Sequence, residues 1–234
     1  MCITRIMASA ISNYDSLESP GSKMRARRIG PLIEMIEVYY NKNKSVRIVD
    51  VGGTIQYWKI VPYEYLCERN VDITIVNLPG QLIARKCGPY SFVESDACNL
   101  VDFRDNQFDI AHSNSVVEHV GDWGRMVQFA KELKRVSRSY FCQTPNYWFP
   151  VEPHCMIPFF HWLPMPVKLW MVSHYKLGHW PKADSTSDAV RILESARLLN
   201  KKMMQALFPD AVIVTERLCF IPKSFVAIRN EEAN

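Results

Sequence analysis

The chain has 234 residues, with 28 Lys+Arg against 24 Asp+Glu, a net charge of +4, and 48% hydrophobic against 22% charged residues. That balance excludes a disordered chain, a collagen and a coiled coil, and it lies far from the basic composition of an electrostatic nucleic-acid binder. The seven cysteines are odd in number and hold no Cys-x-x-Cys pair, which argues against a disulfide framework and a zinc ribbon. The reading is therefore a reduced, cytoplasmic chain with no metal and no nucleic-acid partner.

Taken in order, Ile3 to Gly21 is polar and patternless and reads as a loose arm, with neither the apolar run of a signal peptide nor any later stretch long enough to span a membrane. Lys23 to Tyr40 reads as a helix that opens on the basic Arg25-Ala-Arg-Arg28. Val46 to Val51 is a buried-strand run followed by Gly52-Gly53-Thr54. Ile55 to Glu68 is helical but interrupted by Pro62. Strands follow at Asp72 to Asn77, Ser91 to Asp96, Phe108 to Asn114 and Ser139 to Pro145, with a short helix at Gln81 to Lys86 and an amphipathic one at Arg125 to Arg138. Asp188 to Leu207 reads as one helix, and Ala211 to Leu218 and Ser224 to Arg229 as a terminal antiparallel hairpin.

Strands alternating with helices predict an α/β fold: a Rossmann-like, doubly wound, mostly parallel seven-stranded sheet ending in that hairpin. The division expected is an arm and helix over 1–45 and a main domain over 46–234. Within the latter, 147–182 is an insertion after the fifth strand. From Tyr147 to Trp180 it holds nine aromatic residues, five prolines and four of the chain's six histidines.

Glycines after the first strand let the backbone turn tightly and approach a ligand, and the next helix presents unpaired N–H groups. Ligands of open α/β sheets sit beyond the carboxyl ends of the strands. Asp50 to Thr54, Asn77-Leu78, Asp96-Ala97 and Ser113-Asn114 each close a strand, so all should border one crevice. A dinucleotide fingerprint fails here, because Thr54 and Tyr57 occupy its second and third glycine positions. An acid ending the strand suits a ligand with an ammonium group.

Val46-Arg-Ile-Val-Asp-Val-Gly-Gly-Thr, Ser95-Asp96-Ala97 and the run Phe108 to His119 together resemble the class I S-adenosylmethionine-dependent methyltransferases, in the group with type 11 methyltransferase domains. The likeness covers about Val46 to Asn146. It implies S-adenosylmethionine as cofactor, with Asp50 and Gly52 at the methionine moiety, Gly53 supplying flexibility to the turn, Asn77 at the ribose with Leu78 beside it among the cofactor-binding residues, Asp96 and Ala97 at the adenine, and the Ser113 and Asn114 backbone at the methionine end. Asn77 stands where such enzymes carry an acid.

The aromatic insertion starts at the same crevice edge and is expected to act as an acceptor-binding lid that excludes water. Its alternatives are a packed cap or a homodimer interface. Tyr147, Trp148, Glu152 and His161 are the expected acceptor contacts. A hydroxyl acceptor needs a base, and histidine has the suitable intrinsic pKa. His154 is the first candidate and His119 the second; Glu152 is an orienting carboxylate or a substrate contact, with Pro153 limiting direct pairing to His154. The function expected is methyl transfer to a small molecule, at an oxygen of a hydrophobic, aromatic or sugar- or lipid-linked acceptor. The alternatives are N-methylation, or a non-catalytic binding protein on a degenerate fold of this kind.

Overall fold

The computed structural model describes residues 18–80 and 86–231. Most of the expected arm at Ile3 to Gly21, and most of the short helix expected at Gln81 to Lys86, lie outside the described residues.

The sheet grows from Val46–Val51 (β1), where only Arg47 is exposed. Its further strands are Val71–Asn77 (β2), Lys86–Cys87 (β3), Tyr90–Glu94 (β4), Phe108–Asn114 (β5), Ser137–Pro145 (β6), Val212–Leu218 (β7) and Ile221–Arg229 (β8). The order is β3-β4-β2-β1-β5-β6-β8-β7 in an eight-stranded sheet. The strands β4, β2, β1, β5 and β6 are mutually parallel, while β3, β8 and β7 run antiparallel to their neighbours. The expected seven strands are all there, and the eighth is the two-residue edge strand β3. Chain order reverses between β1 and β5, so the crevice beyond their carboxyl ends is the switch point where such sheets bind ligands.

Side chains alternate across the sheet with a period of two. Val49 and Val51 join one core with Phe129 and Leu133, whereas Val46 and Ile48 join the other with Leu32, Ile36 and Trp58. The helices are Pro20–Arg28 (α1), Gly30–Asn43 (α2), Ile55–Trp58 (α3), Tyr63–Glu68 (α4), Trp123–Val136 (α5), Met165–His174 (α6), Thr186–Glu194 (α7) and Lys201–Leu207 (α8). Two single helices read from the sequence are each divided. Lys23 to Tyr40 is broken at Ile29, because Pro31 fits only the first turn of a new helix. Asp188 to Leu207 is broken where Asn200 caps α8 by accepting from the Met203 amide. Among the described residues no helix is long and apolar enough to cross a membrane.

The insertion builds a small core around Cys155, Phe160, Val172 and Leu177, closed by Ala189 and Ile192 of α7. That core is too small to absorb nine aromatic side chains. Trp148, Phe159, Trp162, Trp170 and Tyr175 are exposed instead. The expected aromatic lid is corrected accordingly: most of its rings point to solvent, and the edge that faces the sheet is made chiefly of other residues.

Candidate active site

Pairing register sets Asp50 beside His112 of β5. The Asp50 carboxylate is fully buried; it accepts from Trp58 Nε1 at 2.7 Å and pairs with His112 Nδ1 at 2.6 Å. A carbon placed on Gly53 would stand 1.7 Å from Asp50 Oδ2, so the bare backbone of Gly53 lies directly over the acid. The expected contact between Asp50 and the ammonium group is therefore corrected. A buried carboxylate requires donors, and here they come from α3 and β5, so Asp50 shapes the turn from beneath. The Ser113 side chain is fully buried and donates through its hydroxyl to the Val51 carbonyl at 3.0 Å, which ties the ends of β1 and β5 together. Gly52 has a φ of +73°, which a side chain would resist, and any Cβ would meet Val116 at 2.5 Å.

At the end of β2, Asn77 Nδ2 donates to the Gly53 carbonyl at 2.9 Å. This explains an amide where an acid was expected, since a carboxylate could not donate to that oxygen. Asn77→Asp should lower stability by about 1 kcal/mol, read as a fall of a few degrees in the thermal midpoint; an unchanged midpoint would show that the bond does not hold the turn.

Leu78 is exposed beside Asn77, and Ala97 packs on the core next to Asp96. The Asp96 carboxylate accepts from the Cys98 amide and, with both oxygens, from Arg125 Nη2 at 2.8 and 2.9 Å. Partial burial would raise its pKa, but the Cys98 amide and the Arg125 guanidinium outweigh that and hold it below the usual carboxylate range.

These residues fit S-adenosylmethionine at its nucleoside end. An amide, an exposed leucine and an ionised carboxylate stand at successive strand ends beside a bare glycine turn. Asn77 suits the ribose hydroxyls, Leu78 a ring face, and Asp96 the adenine amino group. Trp58 and His112 were missed in the sequence, although both carry N–H donors that a buried Asp50 requires.

Beyond the ends of β5 and β6 lies a cavity of about 410 Å³, walled by α1 on one side and by the inner edge of the insertion on the other. Asn114 lines it, its side-chain oxygen accepting from Arg28 Nη2 at 2.8 Å, while Arg28 Nη1 pairs with Glu216 at 3.1 Å. Lys223 also lines it; burial pushes the ammonium pKa down, and the Met24 sulfur lies 3.1 Å from the ammonium. Arg28 and Lys223 were not singled out in the sequence, because they lie far apart in the chain and meet only once β8 is in place.

The opposite wall carries Glu118, His119 and His154. His154 and His119 face each other, Nε2 to Nε2, at 3.1 Å. His119 Nδ1 donates to the Ser195 carbonyl at 2.7 Å, and His154 Nδ1 pairs with Glu152 Oε1 at 2.6 Å. Glu152 is buried, and its other oxygen caps the amides of His154 and Cys155 at 2.8 and 2.7 Å. The expectation that Pro153 limits direct pairing is corrected, because the turn folds back around the carboxylate and brings the imidazole onto it. Burial works against a charged His154, but the hydrogen bond and charge of Glu152, together with the charge of Glu118, raise its pKa above the ordinary value. Burial also raises the Glu152 pKa, an effect that the His154 and Cys155 contacts outweigh, leaving it ionised below its usual range.

Glu118 is buried and accepts from Thr144 at 2.9 Å with one oxygen, while Oε1 has no hydrogen-bond partner. Burial pushes its pKa up, against the pull of His119, His154 and Thr144. The sequence offered only its place before His119, which reads equally as the first turn of a helix.

None of the four expected acceptor contacts lines the cavity: Glu152 is buried behind His154. Trp148 is exposed, and the Tyr147 carbonyl accepts from His161 Nε2 at 2.7 Å and from Trp162 Nε1 at 3.2 Å. Tyr147 and His161 thus fasten the start of the insertion, while Phe149, Val151, Met156 and His179 take the cavity wall.

The methyltransferase domain family matches residues 61–140. Two uncharacterized proteins of Mycobacterium tuberculosis are each 39% identical over 64 residues, covering 27% of this chain and 22% of their own length. The chain therefore matches only about a fifth of those relatives. Among solved structures, a SAM-dependent methyltransferase from Archaeoglobus fulgidus superimposes with a TM-score of 0.52 at 12% identity, over 87% of this chain and 92% of that one. A protein from Pyrococcus horikoshii gives 0.51 at 15% identity over 92% and 93%, and a DszA carbon methyltransferase gives 0.59 at 12% identity over 96% and 57%. At these identities the likeness shows the fold: that of the class I S-adenosylmethionine-dependent methyltransferases.

Proposed function

We propose that this chain, with a class I methyltransferase fold and a methyltransferase-domain match, transfers a methyl group from S-adenosylmethionine to a hydroxyl oxygen of a small acceptor. The observation that carries the choice of oxygen is the imidazole pair. His119 and His154 are each oriented through Nδ1 by an acceptor, which leaves both Nε2 atoms at the wall of the cavity. A neutral hydroxyl is a weak nucleophile, and a positioned imidazole raises its reactivity by taking the proton.

When bound, the cofactor supplies an electrophilic methyl carbon whose bond to sulfur breaks as the acceptor oxygen attacks, leaving the electron pair on sulfur. Asn77, Leu78 and Asp96 would hold its nucleoside, with Asp50 keeping the glycine turn in shape. His154 Nε2 accepts the hydroxyl proton, and Glu152 stabilises the imidazolium that results. Phe149, Val151 and Met156 exclude water from the same cavity, and alignment in a dry site supplies much of the rate. Arg28 and Lys223 on the facing wall suit an acceptor that also brings a negative charge. The main domain is residues 46–234, with 147–182 forming one acceptor wall and α1 of the preceding segment the other. Exposed thiols at Cys67, Cys87 and Cys219 favour a reducing, cytoplasmic setting.

The test is incubation of the purified chain with methyl-labelled cofactor and a panel of small hydroxyl, amine and carbon acceptors. Label is expected in hydroxyl compounds, as methyl ethers, with stoichiometric S-adenosylhomocysteine. Label confined to amines would overturn the choice of oxygen. Absence of cofactor binding by calorimetry would instead fit a non-catalytic binding protein.

A further inference from the structure

Two imidazole Nε2 atoms 3.1 Å apart, each with its proton on the far nitrogen, would set lone pair against lone pair. Something positive belongs between them. A shared proton satisfies the histidines but leaves Glu118 Oε1 as it stands, buried and without a partner. A carboxylate oxygen of Glu118 and imidazole nitrogens of His119 and His154 all lie within 4.8 Å of one another. We propose that Glu118, His119 and His154 form a binding site for one divalent transition-metal ion of the zinc class, open to the acceptor cavity.

Four features of the site agree with such an ion. The donors, two imidazoles and a carboxylate, are of the types that bind zinc and its neighbours in three-ligand sites with an open position. With metal–nitrogen bonds of about 2.0–2.1 Å, two ligands at right angles stand about 2.9 Å apart and at the tetrahedral angle about 3.4 Å. The observed 3.1 Å lies between these. From the outer limit of 4.8 Å the carboxylate oxygen closes in by about 1.4 Å to complete the tetrahedral set. Both imidazoles also have the outer support typical of ligating histidines, with Nδ1–H held by a carboxylate on one and by a main-chain carbonyl on the other. Finally, the buried carboxylates Glu118 and Glu152 both stand beside the imidazole pair, where a divalent ion would favour the ionised form of each.

The remaining coordination position faces the cavity, where the acceptor hydroxyl of the proposed reaction would sit. With the ion bound, His154 Nε2 is a ligand and no longer the base; the ion would take over that task by lowering the pKa of the hydroxyl bound to it, and the imidazole acts as base only in the metal-free chain. Only this consequence rests on the methyl-transfer reading; binding itself does not.

The experiment uses the full chain without a polyhistidine tag, stripped with chelator, in the absence of cofactor and acceptor. Cobalt(II) is titrated in and followed by visible absorbance, and zinc(II) then displaces it. The expected result is one ion per chain, with affinity reduced at least tenfold in His119→Ala, His154→Ala and Glu118→Gln and unchanged in His174→Ala, which alters an exposed histidine outside the cluster. Should the cluster variants fail to fold, the wild-type imidazole nitrogen resonances decide: zinc should shift those of His119 and His154 and leave His174 in place. Absence of stoichiometric binding, or binding indifferent to all three variants, overturns the site. Methyl transfer by a chain that binds no metal would overturn this inference alone, and metal binding by a chain that transfers no methyl would overturn only the function.

Discussion

Asp50→Ala should cost about 2–5 kcal/mol of folding stability, among the larger effects of a single side chain. The acid has no exposed surface, and its two oxygens satisfy Trp58 Nε1 and His112 Nδ1. Alanine leaves both donors buried without an acceptor and opens a void beneath Gly53. For a chain of this length the thermal midpoint should fall by about 5–15 °C. Cofactor affinity should fall with it, because the turn loses its floor. A variant that binds cofactor poorly yet melts like the wild type would restore the direct ammonium contact for Asp50 and refute its supporting role. Trp58→Phe tests the same arrangement more gently: it removes one donor to Asp50 and should destabilise by less.

The position of Asp50 was legible in the sequence; its role was not. The run Val46 to Val51 declares a buried strand by composition, and the glycines after it declare a turn. What the carboxylate does depends on His112, 62 residues away, and only the parallel register of β1 with β5 brings the two together. The same limit applies to the catalytic side. His154 and His119 could be chosen by type and by their closeness to strand ends. Their Nε2-to-Nε2 meeting depends on how the insertion turns back after β6, and Glu118 became informative only when its burial and its unpartnered oxygen were visible. Helix breaks divide along similar lines. Pro62 announces its break, whereas the gap between α7 and α8 depends on Asn200 acting as a cap, and the residue type alone does not separate a cap from an asparagine inside a longer helix.

His154→Ala should reduce turnover by about 10²–10⁴-fold, measured as S-adenosylhomocysteine formed with saturating acceptor, while calorimetric affinity for the cofactor stays at the wild-type level. The side chain stands at the acceptor cavity, away from Asn77 and Asp96, so a loss confined to turnover is the expected pattern. Glu152→Gln should lower turnover less, since the amide retains a hydrogen-bond acceptor for His154 but not the charge that favours its imidazolium. Undiminished turnover in His154→Ala would remove the imidazole pair from the chemistry and, with it, the argument for oxygen as the atom methylated.

The guanidinium of Arg28 has a consequence for the order in which the molecule assembles. It ties the first described helix to Asn114, 86 residues on, and to Glu216, 188 residues on. Contacts of such sequence separation close late, because loop-closure entropy opposes them until the intervening chain is ordered. The parallel strands and the glycine turn can form from consecutive segments, but the acceptor cavity has no complete wall until β7 and β8 have been made and paired. During synthesis, competence to hold the nucleoside thus precedes competence to hold the acceptor. A chain halted before residue 212 retains the turn and lacks the chamber it is meant to serve.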